Sequence, residues 1–222
     1  MRFDYPVNLF SDTQTRPTAA MRRVMAEAEV GDERVDPRRN VELKARDASP
    51  ERSLESCRRL GATDHGEIWQ RDTYFSVPSA GLKLREERPG RAHLIQFDRA
   101  NGPRERESRY RIVAVDDGTV LRDALAAAIG VRNVVVKRRR LFLWRDVRIH
   151  LDDVERLGRF VELEAVAPPE SDLVHERRLI LELREVLEIA DDRLVASGYA
   201  DLLPTPPPAS FTETIPGAPS GC

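Results

Sequence analysis

Four short segments, spread across the chain, alternate charged and apolar residues, and this limits the folds open to it. In "RRNVELKARD" (38–47), Val41, Leu43 and Ala45 fall on one face of a strand, and Asn40, Glu42, Lys44 and Arg46 on the other. Successive strand side chains point to opposite faces. The same period of two pairs Lys83 with Arg85, Lys137 with Arg139 and Glu162 with Glu164, while Leu82, Leu84 and Leu163 take opposite faces. A solvated outer face explains any one such strand. Four of them, each with an apolar face for helices to cover, point to charged faces turned toward the middle of a sheet. An eight-stranded sheet closes into a barrel with a narrow lumen. Such a barrel is inside out: apolar outside beneath helices, charged within.

Buried charges are costly unless paired or ligated. Bases outnumber acids on the inward faces, so a polyanion is the expected guest. Cationic clamps are the usual means of holding phosphoryl groups. The acids have a separate use, because Mg²⁺ and Mn²⁺ prefer carboxylate and phosphate oxygens. Glu42, Glu162 and Glu164, with Asp152 from "RIHLDD", are the candidate metal ligands. Lys44, Arg46, Lys83, Arg85, Lys137 and Arg139 are the candidate phosphate ligands. Only three of the 36 basic residues are lysine, and all three lie in these alternating segments.

The rest of the chain fits around this design. Strands are expected at 38–46, 66–77, 81–87, 92–99, 109–115, 134–144, 147–154 and 159–166. Most connections between them are too short for parallel crossovers, so the sheet should be antiparallel. Ser49, with Pro50 behind it, should start a helix that Gly61 stops, with Leu54, Cys57 and Leu60 as its apolar stripe. A second helix is expected over 119–129, and a third from a Ser171 cap to about Ile189. The predicted class is α+β, an eight-stranded antiparallel β-barrel tunnel with flanking helices, over 38–203. Residues 204–222 are rich in Pro, Gly, Ser and Thr and read as a disordered tail.

Composition excludes several classes. Two cysteines among 222 residues make neither a disulfide framework nor a metal cluster. No apolar run reaches the roughly 20 residues that span a bilayer, and no signal-peptide core is evident, so a cytoplasmic protein is expected. The net charge of −2 argues against bulk attraction to nucleic acid or membranes. The run "KRRR" does not change that, because alternation leaves only Lys137 and Arg139 on one face.

Two resemblances add to this reading. "NLFSDTQTRPTAAMRRVMAEAEVGDERVDP" resembles the N-terminal end of the threonine aldolase family, but the likeness stops near Pro37 and no Schiff-base lysine follows in a matching context. Residues 1–37 are therefore read as a fragment without its own fold. From 38 onward, "NVELKAR", "QRDTYFSVPSAGLKLRE", "AHLIQFDR", "VVVKRRRLFL", "RIHLDDVERLGRFVELE" and "SGYADLL" resemble the CYTH superfamily of triphosphate tunnel metalloenzymes, in particular the sequences called class IV adenylyl cyclases. The resemblance implies that Lys44, Lys83, Arg85, Lys137 and Arg139 bind phosphates and that Glu42, Glu162, Glu164 and Asp152 serve Mg²⁺ or Mn²⁺. It implies catalytic roles for Lys44 and Glu42, and for Tyr74, which matches a tyrosine near the first-strand lysine in triphosphatase-like members. The implied activity is conversion of ATP to cyclic AMP and pyrophosphate, with thiamine or inorganic triphosphate hydrolysis, or triphosphate binding without turnover, as alternatives. One departure stands out: the family's first strand reads Glu-x-Glu-x-Lys, and its first acid is here Asn40.

Overall fold

The structure, a computed structural model, describes residues 38–99 and 104–204. The aldolase-like segment and the tail beyond Pro204 lie outside the described residues. Eight strands form the body: β1 (Arg38–Arg46), β2 (Thr63–Phe75), β3 (Gly81–Arg88), β4 (Arg91–Arg99), β5 (Arg106–Val115), β6 (Val131–Trp144), β7 (Val147–Val154) and β8 (Gly158–Ala167). They close in the order β1-β5-β4-β3-β2-β6-β7-β8, with every pair antiparallel. Closure removes the unpaired edges that an open sheet would expose. The helices are α1 (Pro50–Arg59), α2 (Gly118–Ile129), α3 (Val174–Val186) and the one-turn α4 (Tyr199–Leu202). No described helix is long and apolar enough to cross a membrane. The antiparallel barrel with flanking helices expected from the alternation is the fold observed.

The barrel is inside out as its sequence pattern requires. Val41, Leu43 and Ala45 of β1 and Val161, Leu163 and Ala165 of β8 are buried on the outer face against Leu179, Ile180 and Leu183 of α3, and Ile149 of β7 belongs to the same cluster. Each such leucine contributes about 1.5–3 kcal/mol by leaving water. Leu54 of α1 and Leu60 at its C-cap pack on the edge of this cluster, which includes the buried Cys57. By contrast, α2 buries no residue fully and lies over β2, β3 and β4.

A second apolar cluster forms a floor to the lumen. Val195, Tyr199, Ala200 and Leu203 of the C-terminal segment pack against Tyr74, Val135, Val154 and Phe160. The register puts these four strand residues on the same faces as Lys83, Asp72, Lys137 and Asp152 respectively. The segment is pinned by the Val195 N–H donating to the Lys44 carbonyl at 2.9 Å and by Asn133 Nδ2 donating to the Ala200 carbonyl at 3.0 Å.

Strand and helix ends differ from the sequence expectations in ways that bear on the site. β2 starts at Thr63 through an irregularity between Asp64 and Glu67, where Gly66 takes φ +81° and donates its N–H to Asp64 Oδ1 at 2.9 Å. β5 starts at Arg106 rather than 109, which adds Arg106 and Ser108 to the barrel wall. Ser49 occupies the N-cap of α1 without a side-chain cap bond. Asp47 Oδ1 instead accepts from the Ser49 N–H at 3.1 Å and from Ser53 Oγ at 2.9 Å. α3 is shorter than expected, with Leu173 at its N-cap in the left-handed region. Ser171 still serves that turn, accepting from the Leu173 N–H at 2.9 Å and donating to Glu176 at 2.7 Å.

Candidate functional site

The inward faces of all eight strands meet in one cavity of about 120 Å³, narrowed by ion pairs. Six cationic side chains line it: Lys44, Lys83, Arg85, Lys137, Arg139 and Arg148. The lining acids are Glu42, Glu162 and Glu164. Strand register accounts for the convergence, since β1 sets Glu42 opposite Glu164 and Lys44 opposite Glu162.

Two carboxylates organise the cations from behind. Asp72 of β2, essentially sealed from solvent, accepts from Arg85 Nε and Nη2 at 2.8 and 2.9 Å and from Lys83 Nζ at 3.0 Å. Burial opposes its charge, but Arg85 and Lys83 outweigh that and hold it well below the usual carboxylate range. Asp152 of β7 grips Arg139 through Nε at 2.7 Å and Nη2 at 2.6 Å, lies 3.6 Å from Lys137 Nζ, and accepts from the Tyr199 hydroxyl at 2.9 Å. Bidentate pairs of this kind fix a guanidinium plane as well as its position.

The lysines are strongly perturbed. Burial, reinforced by Arg85, pushes Lys83 down to about 7 despite Asp72. Burial and Arg139 push Lys137 down to about 8. Lys44 is buried, with Nζ 2.9 Å from Glu162 Oε1 and 4.0 Å from the centroid of the Tyr199 ring. Lys137 Nζ lies 5.0 Å from the same centroid. Tyr199, from outside the barrel strands, thus spreads one aromatic face beneath two cations.

The acids that fit a cation cluster at β7 and β8. Atoms of His150, Glu162 and Glu164 lie within 4.8 Å of one another, with His150 Nδ1 at 3.8 Å from both Glu162 Oε2 and Glu164 Oε1. That nitrogen is buried without a hydrogen bond, as is Asn40 Oδ1 on the neighbouring strand. Burial, then Arg139, lowers the His150 pKa and favours the neutral imidazole that can act as a ligand. Burial opposes ionisation of Glu162, but Lys44 and Arg139 hold its carboxyl well below the usual range. The donor set of two carboxylates and an imidazole fits a divalent cation.

Measured against the sequence expectations, Lys44, Lys83, Arg85, Lys137, Arg139, Glu42, Tyr74, Glu162 and Glu164 all border the cavity. Arg46 does not: it is exposed, donates to the Leu157 carbonyl at 3.3 Å and lies over the Phe160 ring. Lying beyond Lys44 on β1, it falls outside the cavity lining. Asp152 faces inward but sits behind Arg139, Lys137 and Tyr199, and His150, which the sequence reading did not assign to the metal, joins Glu162 and Glu164 in the acid cluster. Tyr74 has its ring 5.5 Å from Lys83 Nζ, while the ring against Lys44 is that of Tyr199. The other half of "KRRR" points outward, with Arg138 facing Asp153 at 3.6 Å and Arg140 bonded to Asp64 at 2.6 Å.

Asp72, Arg106, Ser108 and Tyr199 were not singled out by sequence reasoning. Asp72 shares strand parity with Tyr74 and was open to detection on that ground. Arg106, whose Nε donates to Glu42 Oε1 at 2.8 Å, was lost with the misplaced start of β5. Tyr199 had no periodic signal at all.

A family model described as the CYTH domain matches residues 38–199. A Methanocaldococcus jannaschii protein named "Putative adenylate cyclase MJ0240" is 25% identical over 175 residues, 73% of this chain and 97% of that protein. The structure of the PH1012 protein of Pyrococcus horikoshii superposes with a TM-score of 0.68 at 23% identity, covering 74% of this chain and 99% of that one. The Hippeastrum protein HpAC1, described as having a dominant triphosphatase activity, superposes with a TM-score of 0.53 at 12% identity, over 72% of this chain and 91% of that one. With its inside-out barrel, its convergent cations and a family match that spans the barrel, the chain belongs to the CYTH domain family.

Proposed function

We propose that this chain is a divalent-metal-dependent enzyme that holds a triphosphate in the barrel lumen and converts ATP to cyclic AMP and pyrophosphate. The observation that carries this reading is the convergence of six cations on one cavity beside a carboxylate and imidazole cluster. Lys83, Arg85, Lys137 and Arg139 would grip the phosphoryl oxygens, their positions set by Asp72 and Asp152. A triphosphate competes with Glu162 for Lys44 and with Asp72 for Lys83, so binding exchanges internal ion pairs for ligand ones. Glu162, Glu164 and His150 would hold Mg²⁺ or Mn²⁺, with Glu42 as the cross-strand neighbour of Glu164. When bound, such an ion supplies Lewis-acid neutralisation of phosphate charge.

In the cyclase reaction the ribose 3′-oxygen bonds to the α-phosphorus, the bridging bond to the β-phosphate breaks, and pyrophosphate leaves. The hydroxyl proton passes to a lumenal carboxylate, for which Glu42 is the candidate, oriented by Arg106 at 2.8 Å. Lys44 offsets charge growing on the reacting phosphoryl group. A second reading is hydrolysis of a triphosphate at its terminal phosphorus, with Tyr74 orienting water. The activity ascribed to the Hippeastrum relative favours it.

The test is product analysis after incubation with Mg²⁺ or Mn²⁺ and, separately, ATP, thiamine triphosphate and tripolyphosphate. Cyclic AMP with pyrophosphate is expected, and orthophosphate would select the hydrolase. Lys137→Ala and Glu164→Ala should each abolish turnover with circular dichroism unchanged. Full activity in both variants would reject the site.

A further inference from the structure

Glu42, Asp152, Glu162 and Glu164 are enough carboxylates to serve two ions, and paired metals are a common means of working on phosphates. Their partners divide them. Asp152 is saturated: Arg139 takes both its oxygens at 2.7 and 2.6 Å, with the Tyr199 hydroxyl at 2.9 Å and Lys137 Nζ at 3.6 Å. It is also not among the described residues that line the cavity. A carboxylate occupied in this way has little lone-pair capacity left for an ion.

Glu162 and Glu42 are paired too, but with cations of different kinds. Glu162 is held by Lys44 at 2.9 Å and Arg139 at 2.5 Å. Both cations line the cavity, so phosphate oxygens can draw them off and release Glu162. Glu42 is held by Arg106, Nε to Oε1 at 2.8 Å, and the register sets these two residues directly opposite each other on β1 and β5. Arg106 is 7% exposed and is not among the lining residues. Its Nη1 donates to the Ala196 carbonyl, in the segment that floors the lumen. A ligand in the cavity therefore has no direct hold on this guanidinium. Breaking its pair with Glu42 to admit a metal would leave a buried charge uncompensated, which is strongly unfavourable.

Charge divides the lumen in the same way. The residue that shares the lumenal face of β1 with Glu42, two positions earlier, is the buried Asn40, an amide that brings no charge. The single negative charge of Glu42 is already matched by Arg106. At β7 and β8 the balance is opposite. Glu162 and Glu164 bring two negative charges, and the buried His150 turns toward both an Nδ1 that has no hydrogen-bond partner among the described residues.

We propose, resting on the reading of the lumen as a metal-assisted triphosphate site, that this protein takes one divalent ion per chain, at His150, Glu162 and Glu164, and that the Arg106 guanidinium is a built-in cation that stands at Glu42 in place of a second ion. Held by Arg106 rather than by a metal, Glu42 keeps its role as proton acceptor.

Electron paramagnetic resonance tests this on the full chain, with equal amounts of α,β-methylene-ATP and chain and twice that amount of Mn²⁺. One equivalent of Mn²⁺ should bind as an isolated centre, and the second should keep the six-line signal of the free ion. Two bound equivalents with a spin-coupled spectrum, as for ions about 3.5–4 Å apart, overturn the inference and leave the triphosphate reading standing. Asn40→Glu adds an acid but keeps Arg106 and should still bind one ion. Asn40→Glu combined with Arg106→Gln adds the acid and removes the cation, and should bind two. Two ions in Asn40→Glu alone, or one ion in the double variant with its circular dichroism unchanged, overturn the part given to Arg106. Wild-type protein that holds no Mn²⁺ beyond what the nucleotide alone holds removes the metal reading beneath it.

Discussion

Binding of a triphosphate should draw protons from solution, and the amount follows from two lysines. Lys83 is pushed down to about 7 and Lys137 to about 8. At pH 8 the first is then only about a tenth protonated and the second about half, leaving about 1.4 protons to be taken up when a polyanion recharges both. At pH 6 both are already charged, and the uptake should shrink to about 0.1. The acids do not cancel this. Arg85 and Lys83 hold Asp72, and Lys44 holds Glu162, far below their ordinary values despite burial, so both stay ionised at pH 8. The assay is calorimetric titration with α,β-methylene-ATP at pH 8 in buffers of different ionisation enthalpy. Lys83→Arg, which keeps a charge but removes the titration, should reduce the uptake to about 0.5. The same shifts fix a stability trend in the unliganded protein. Over the window between these lowered values and the ordinary lysine value, the unfolded chain binds more protons than the folded one. The two lysines therefore contribute stability that grows as pH rises through that window and is lost as pH falls through about 8 and then about 7. No measurable uptake at pH 8, or an uptake equal in wild type and Lys83→Arg, would refute the reasoning.

Two further outcomes follow from the packing. Tyr199→Phe keeps the ring beneath Lys44 and Lys137 and should retain triphosphate affinity within about threefold, whereas Tyr199→Leu removes the cation–π face and should weaken binding about tenfold or more. Equal affinities in the two variants would show the ring to be mere filling. Leu163→Ala, on the sealed outer face of β8 beneath α3, should cost about 2–5 kcal/mol in chemical denaturation. A loss below about 1 kcal/mol would contradict an apolar exterior core.

The stretch 38–47 shows how far sequence reasoning reaches. Its alternation assigned Val41, Leu43 and Ala45 to the helix-covered face and Glu42 and Lys44 to the lumen, and all five are buried where that parity sends them. Parity failed at Arg46, because period two fixes the face a residue takes but not its height in the barrel. The same limit applies to Asp152, which has lumenal parity yet stands behind Arg139. Arg106 was missed for a different reason: strand ends depend on pairing partners, and β5 is extended by β1, a partner remote in sequence.

Local sequence determined the elements, the two-faced strands and the residue types available for chemistry, because side-chain periodicity and glycine or proline punctuation act over a few residues. Tertiary structure alone decided which charges meet. Closure of β1 onto β5 and β8 brought Arg106 to Glu42 and Lys44 to Glu162. The return of the C-terminal segment set Tyr199 under two lysines. Those contacts depend on barrel register and on chain segments far apart in sequence, and no local pattern encodes a distance across a lumen.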